Sequence, residues 1–179
     1  MLRGGYDERR DRLTAMDLTT ERLIVHPITP AEAARIIARE PDEGDDWHHE
    51  YPLVDELDVL RGLVTADAEA LDPDFRLYMI RRRADGLAVG GIGFFGAPDP
   101  DGVAEVGYGL VSAARGSGYA TEALEAAVRL AFARGATAVI ADTSDDNVAS
   151  QRVLEKAGFR IEWNRDGSVG YRLAAPPRR

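Results

Sequence analysis

Between Ala104 and Asp142 the sequence reads as a strand, a glycine-rich turn, a helix and a second strand. No other stretch constrains the fold as much. Two strands joined through a helix lie parallel in one sheet, because the crossover must carry the chain back to its starting end. The first strand covers Ala104 to Val111. The turn is Arg115-Gly116-Ser117-Gly118-Tyr119-Ala120. The helix runs from about Gly118 to Arg134, with Ala120, Leu124, Ala127, Val128 and Ala131 at helical spacing, and Gly135 closes it. The second strand, Ala138 to Asp142, is short and apolar.

Leu18 to Pro27 reads as one strand with Leu23 and Val25 on the same face. Thr29-Pro30-Ala31-Glu32 has the form of a capping box with proline at the first helical position, and its helix runs to about Glu40. After the polar stretch PDEGDDWHHEYP, Asp55 starts a second helix with Leu57, Leu60, Leu63 and Val64 on one side. Asp72-Pro73 ends that unit. Phe75–Arg82 and Leu87–Phe95 form a hairpin through Ala84-Asp85-Gly86, and Pro98 to Gly102 turns into the strand described first. Near the C-terminus, Asn147–Ala157 is a helix closed by Gly158, and Phe159–Trp163 and Val169–Leu173 flank the turn Asp166-Gly167. The order β, α, α, β, β, β, α, β, α, β, β predicts a mixed α/β sheet with helices on both faces. It is assigned to one domain over residues 18–174, with a flexible arm over 1–17 and a tail over 175–179.

The totals exclude several functions. A chain of 179 residues, 45% hydrophobic and 30% charged, has the composition of a soluble globular domain. No apolar run reaches membrane-spanning length, and the first residues lack the apolar stretch of a secretion signal, so a cytoplasmic protein is expected. There is no cysteine, hence no disulfide, thiolate metal site or cysteine nucleophile. Three histidines, His26, His48 and His49, are too poorly spaced to predict a metal site. The net charge of −9 argues against nucleic acid as partner and mildly favours a cationic substrate.

Three stretches could carry chemistry. In Glu105-Val106-Gly107-Tyr108-Gly109-Leu110-Val111, strand alternation puts Glu105, Gly107, Gly109 and Val111 on one face. Two glycines beside a glutamate make a bare trough in which a ligand could lie; an exposed Glu on a bulged strand is the plainer alternative. The turn that follows opens a helix, so the amides of Ser117 to Thr121 can converge on an anion, with Arg115 as a charged donor. No Lys-Ser/Thr pair ends the loop and no G-x-G-x-x-G is present, which disfavours nucleoside triphosphate and dinucleotide sites. The third stretch is Asn147-Val148-Ala149-Ser150, leading to Lys156-Ala157-Gly158-Phe159. There Asn147 reads equally as a helix cap.

As a set these motifs resemble the GNAT superfamily of acyl-CoA-dependent N-acetyltransferases. Arg115-x-x-Gly118-x-Ala120 matches its pyrophosphate loop. Glu105-x-Gly107-Tyr108-x-Leu110, Asn147-x-x-Ser150 and the opening LTTERLIVHPIT resemble the branch containing ribosomal-protein N-terminal acetyltransferases. The resemblance covers about residues 18–174. It implies a central, mostly antiparallel twisted sheet with helices on both faces and a splayed parallel strand pair. It also implies acetyl-CoA as donor, with its pantetheine arm along Gly109, Leu110 and Val111. The loop Arg115, Gly116, Ser117, Gly118, Tyr119, Ala120 and Thr121 would hold the diphosphate, Asn147 would touch the arm, and Ser150 would lie near the thioester sulfur.

The implied reaction is direct transfer of an acetyl group to a primary amine of a protein N-terminus or a small molecule. Glu105 is the candidate base, working through water, although an ordinary solvated carboxylate is a weak base and its role could be to hold a cation. Many relatives carry a tyrosine as general acid where this chain has Leu154, so Ser150 takes that role or no acid is needed. Trp47 and Tyr51, amid Asp45 to Glu50, are the candidate acceptor-side residues, with inward packing as the alternative. No metal, membrane or nucleic acid is expected; a homodimer is compatible with the family. Two rival readings are a non-catalytic acyl-CoA sensor or scaffold, and a phosphate-ligand protein unrelated to coenzyme A.

Overall fold

The computed structural model describes residues 16–67 and 71–177. The expected arm lies outside the described residues except for Met16 and Asp17, as does the end of the expected tail. The strands are β1 (Leu18–Thr19), β2 (Leu23–Pro27), β3 (Leu77–Arg82), β4 (Ala88–Phe94), β5 (Val103–Leu110), β6 (Ala138–Ser144), β7 (Arg160–Arg165) and β8 (Ser168–Ala174). The helices are α1 (Pro30–Ala38), α2 (Leu57–Thr65), α3 (Tyr119–Ala133) and α4 (Val148–Lys156). Short 3-10 turns, Val54–Glu56 and Ser112–Ala114, precede α2 and follow β5.

The strands form one sheet in the order β1-β2-β3-β4-β5-β6-β8-β7. Every neighbouring pair is antiparallel except β5 with β6, the parallel pair that the β-α-β segment dictates. The expected strand Leu18–Pro27 is corrected to a tight hairpin: β1 folds back on β2, with Leu18 opposite Val25. Thr20 makes the turn, its hydroxyl bonding both the N–H and the C=O of Leu23.

Helices cover both faces. On one, α3 buries Ala123, Leu124, Ala127, Val128 and Ala131 against a core that includes Val106 and Leu110 of β5. Leu124 is fully buried, and truncating such a leucine to alanine costs about 2–5 kcal/mol. On the other face α1 and α2 pack together, with Ile36, Leu60 and Leu63 buried; Val64, expected inside, is exposed.

Helix α1 starts as its sequence predicts. Thr29 accepts from Glu32 N–H, Glu32 accepts from Thr29 N–H, and Pro30 occupies the first turn. The same Glu32 carboxylate bonds His26 of β2 at 2.8 Å, and His26 also bonds Asp17. Burial raises the Glu32 pKa, but the bonds from His26 and Thr29 outweigh it and bring the carboxyl down to about 2. The Glu32 bond raises the His26 pKa in turn, against a lowering by burial. Helix α1 stops at Ala38 because Arg39 turns left-handed (φ 57°). Its guanidinium then donates to the carbonyls of His49 and Tyr51, fastening the following loop.

Candidate active site

The parallel pair is joined for three residues only. Val103, Ala104 and Glu105 lie opposite Ala138, Val139 and Ile140. Beyond them β6 pairs on its other side with β8, while β5 continues along β4. The sheet therefore forks at Glu105. The N–H of Val111 donates to Val89 and the carbonyl of Glu105 accepts from Phe95, so odd-numbered residues of β5 face β4. By alternation, the backbone N–H groups of Tyr108 and Leu110 face the open fork. The Leu110 carbonyl also faces it and accepts from Arg115 Nε at 3.0 Å. Of the expected trio Gly109 to Val111, Leu110 alone presents its N–H to the gap.

The open end of the fork leads into the glycine-rich turn. Gly116 (φ 77°) and Gly118 (φ 81°) take the left-handed backbone that allows the chain to bend there. No side chain caps α3, so its first-turn amides point outward unpaired. The turn is braced from the link between β1 and β2. Arg22 donates to the Ser117 carbonyl at 2.8 Å and to Glu122 at 2.7 Å, and its guanidinium lies over the Tyr119 ring. Glu122 also accepts from Thr20 Oγ1 and from Arg22 N–H. The stretch Thr20-Glu21-Arg22 thus sets the shape of a loop about a hundred positions away. Uncapped amides beside a strand with free donors fit a phosphate ester on an extended, amide-bearing arm.

Asn147 caps α4, its side chain accepting from Ser150 N–H at 3.1 Å, and it remains exposed. Ser150 reaches the fork: its hydroxyl lies 2.9 Å from the Tyr108 hydroxyl. Burial pushes the Tyr108 hydroxyl up to about 12, against the lowering from Ser150. Tyr171 of β8 is buried near this pair and its hydroxyl has no partner among the described residues. Leu154, where the family resemblance implies a tyrosine in many members, is fully buried. Tyr108 thus stands beside Ser150 with Tyr171 near it, and strand alternation alone could have placed Tyr108 on that side.

The other face carries Glu105, which is exposed, and the segment from Asp46 to Glu56. That segment is stitched to the sheet by bonds between Ala88 and residues Asp46 and His48, and by Glu50, which accepts from Ser112 N–H at 2.8 Å. Trp47 is half-buried and Tyr51 is buried. Both pack inward, and Trp47 Nε1 and the Tyr51 hydroxyl lack partners among the described residues. They help to line a cavity of about 260 Å³ with Arg39, Asp45 and His48. No three metal-ligating side chains gather among the described residues.

Glu56 did not stand out in the sequence, where it reads as one more acidic residue at a helix start. It is the one charged residue buried among the described residues, 9% exposed. Burial pushes its carboxyl up to about 7, against the lowering from a 3.4 Å bond with Leu53 N–H. A signal was available: Gly91 and Gly93 of β4 alternate as Gly107 and Gly109 do on β5, and such a face has room for a side chain from another element.

Comparison with known proteins agrees with this geometry. YjdG, an uncharacterized N-acetyltransferase of Bacillus subtilis (strain 168), is 35% identical over 86 residues, which are 48% of this chain and 51% of that protein. YoaA, another uncharacterized N-acetyltransferase of the same organism, is 29% identical over 148 residues, 81% of this chain and 83% of that one. The solved structure of Mycobacterium smegmatis RimJ in complex with CoA-disulfide superposes with a TM-score of 0.59 at 22% identity, covering 86% of this chain and 82% of the other. Residues 22–160 match the acetyltransferase (GNAT) domain family, and the chain belongs to that family.

Proposed function

We propose that this protein transfers an acetyl group from acetyl-CoA to a primary amine by direct attack. The observation that carries the reading is the fork. It leaves the N–H groups of Tyr108 and Leu110 without a strand partner and leads straight to the uncapped start of α3. An arm with amide groups can pair along β5 as a further strand would, and a diphosphate suits the amides of Ser117 to Thr121, with Arg115 as a charged donor. Acetyl-CoA supplies an activated thioester, so the chain itself needs to bind, orient and move protons.

Glu105 stands where the fork closes and holds the acceptor's positive charge. Leu110 N–H donates to the carbonyl oxygen as negative charge develops there. Ser150, polarised by Tyr108 at 2.9 Å, returns a proton to the departing sulfur. This pair supplies the hydroxyl that Leu154 does not, and so favours a working enzyme over a sensor or scaffold. Asn147 holds the first turn of α4, and with it Ser150, in place.

Calorimetry with coenzyme A and with ATP, followed by thiol release in the presence of an amine panel, tests this reading. Tight binding of coenzyme A, weak binding of ATP and amine-dependent thiol release are expected. Equal binding of the two nucleotides, or binding without release on any amine, would overturn it.

A further inference from the structure

Acetyl transfer as proposed leaves Glu56 idle, although it is the one buried carboxyl among the described residues. Beneath it lies a floor without side chains. Gly91 pairs with Gly109 and Gly93 with Gly107 across β4 and β5, and paired residues at alternate positions share one face. Three side chains stand over that floor. A Cβ at Gly91 would run into the Glu56 carboxylate, one at Gly109 would come within 2.5 Å of Leu53 Cδ1, and one at Gly107 within 3.0 Å of the Phe95 ring. Glu56 thus points at bare backbone beside the strand that borders the fork.

Its own partners are few. Oε2 accepts the long bond from Leu53, and Oε1 has no partner among the described residues. A buried carboxylate left in this state is costly unless a cation or a proton joins it. The neighbours that act on it do not supply one: Asp55 adds negative charge, and the Tyr51 hydroxyl beside it is neutral. Arg81 of β3 and Glu32 of α1 act on Tyr51 from opposite signs. Leu53 covers Gly109 and Phe95, which is 69% exposed, covers Gly107, so apolar side chains flank the carboxyl on the β5 side.

We infer that Glu56 is a catalytic residue that receives the acceptor's ammonium group on the glycine floor and takes one proton from it. This rests on the acetyl-transfer reading. The ammonium gives a proton to the carboxylate, leaving a neutral amine and a carboxylic acid. The nitrogen lone pair forms the C–N bond to the acetyl carbon. The C–S bond breaks with its electrons on sulfur, the second nitrogen proton ends on that thiolate, and Glu56 returns its proton to water. Leu53 and Phe95 then contact the carbon next to the nitrogen, and Glu105 holds charge at the mouth. A carboxyl that titrates near neutrality suits this exchange.

The test compares the wild type with Glu56→Gln in three measurements. These are the acetyl-CoA Kd by calorimetry, kcat/KM from pH 5.5 to 9.5 for an alanyl peptide amide and for Nα-acetyl-lysine amide, and the carbon-13 shift of the Glu56 carboxyl over the same range. Glu56→Gln is expected to keep the Kd, to lose about 100-fold in kcat/KM at neutral pH, and to lose the acidic limb of the profile. The wild-type carboxyl shift should inflect near neutrality. Gly91→Ala, which pushes the carboxyl off the floor, should lower kcat/KM in the same way without changing the Kd. A wild type that binds no acetyl-CoA would overturn the acetyl-transfer reading and this inference together. Turnover by the wild type with an unchanged kcat/KM and pH profile in Glu56→Gln would overturn the role of Glu56 alone.

Discussion

The two sides of the fork are built by different means. On the proposed donor side the groups on offer to a ligand are main-chain: the N–H groups of β5 that face the fork and the first turn of α3, shaped by Gly116 and Gly118 and braced by Arg22. On the proposed acceptor side they are side chains, chiefly Trp47, Tyr51 and Glu56 of one irregular segment, each with a buried polar atom that has no partner among the described residues. Backbone donors give an unvarying ligand the same grip whatever the neighbouring side chains. Unpaired buried groups are costly alone and become favourable when a matching partner arrives. A common donor and a selected acceptor call for these two designs respectively.

Substitutions can break that division. The largest effect is expected at Gly118, where any side chain must take a left-handed backbone and would meet Arg22 Nη2 at 3.3 Å. Gly118→Val should weaken acetyl-CoA by about 100-fold by calorimetry. The same change should leave the ranking of amines unaltered; a changed ranking would mean that the two sides are not separate. Next comes stability at Glu56. Its carboxyl titrates at about 7, above the ordinary 4.5, so the folded protein favours the protonated form. The cost is absent below pH 4.5, grows as pH rises through 7 and is complete above it. Glu56→Gln removes it, and should gain on the order of 2 kcal/mol at pH 8 and nothing at pH 4.5, read from denaturant melts.

A smaller effect is expected at the brace. Arg22→Ala leaves every loop residue in place but removes the bonds to Ser117 and Glu122. The acetyl-CoA Kd should rise by about tenfold, while kcat at saturating donor should hold. The smallest effect lies away from the fork, at His26. Its pKa is raised by Glu32, so its contribution is present below pH 6.5 and fades as pH rises through the raised value. His26→Gln should lower Tm by a few degrees at pH 5.5 and hardly at all at pH 9, with acetyl-CoA binding unaffected.

The same contrast explains what the sequence disclosed. The parallel pair, the glycine turn and α3 follow from local patterns: alternation, a helical stripe, and glycines where the backbone must bend. Most helix and strand ends were legible to within a residue or two, because caps and turns are local chemistry. The hairpin of β1 and β2 was not, since Thr20 to Arg22 is held by Glu122, about a hundred positions on. Glu56 was hidden for a related reason: its burial comes from a face of glycines contributed by two strands. Ser150 was visible and alternation fixes the face of Tyr108, but their pairing was not legible, because a hydroxyl contact across 42 positions leaves no local trace.

The bond from Arg22 to the glycine turn also bears on the order in which the protein becomes competent. Synthesis runs from the N-terminus, so Thr20 and Arg22 emerge long before Glu122 and wait for it. Until that late contact forms, the bend at Ser117 has no anchor. A polypeptide clipped beyond Arg22 is therefore expected to hold the diphosphate of acetyl-CoA more loosely, by about the tenfold expected of Arg22→Ala. The brace of the turn is thus a tie between an early and a late segment, complete once Glu122 has joined Arg22.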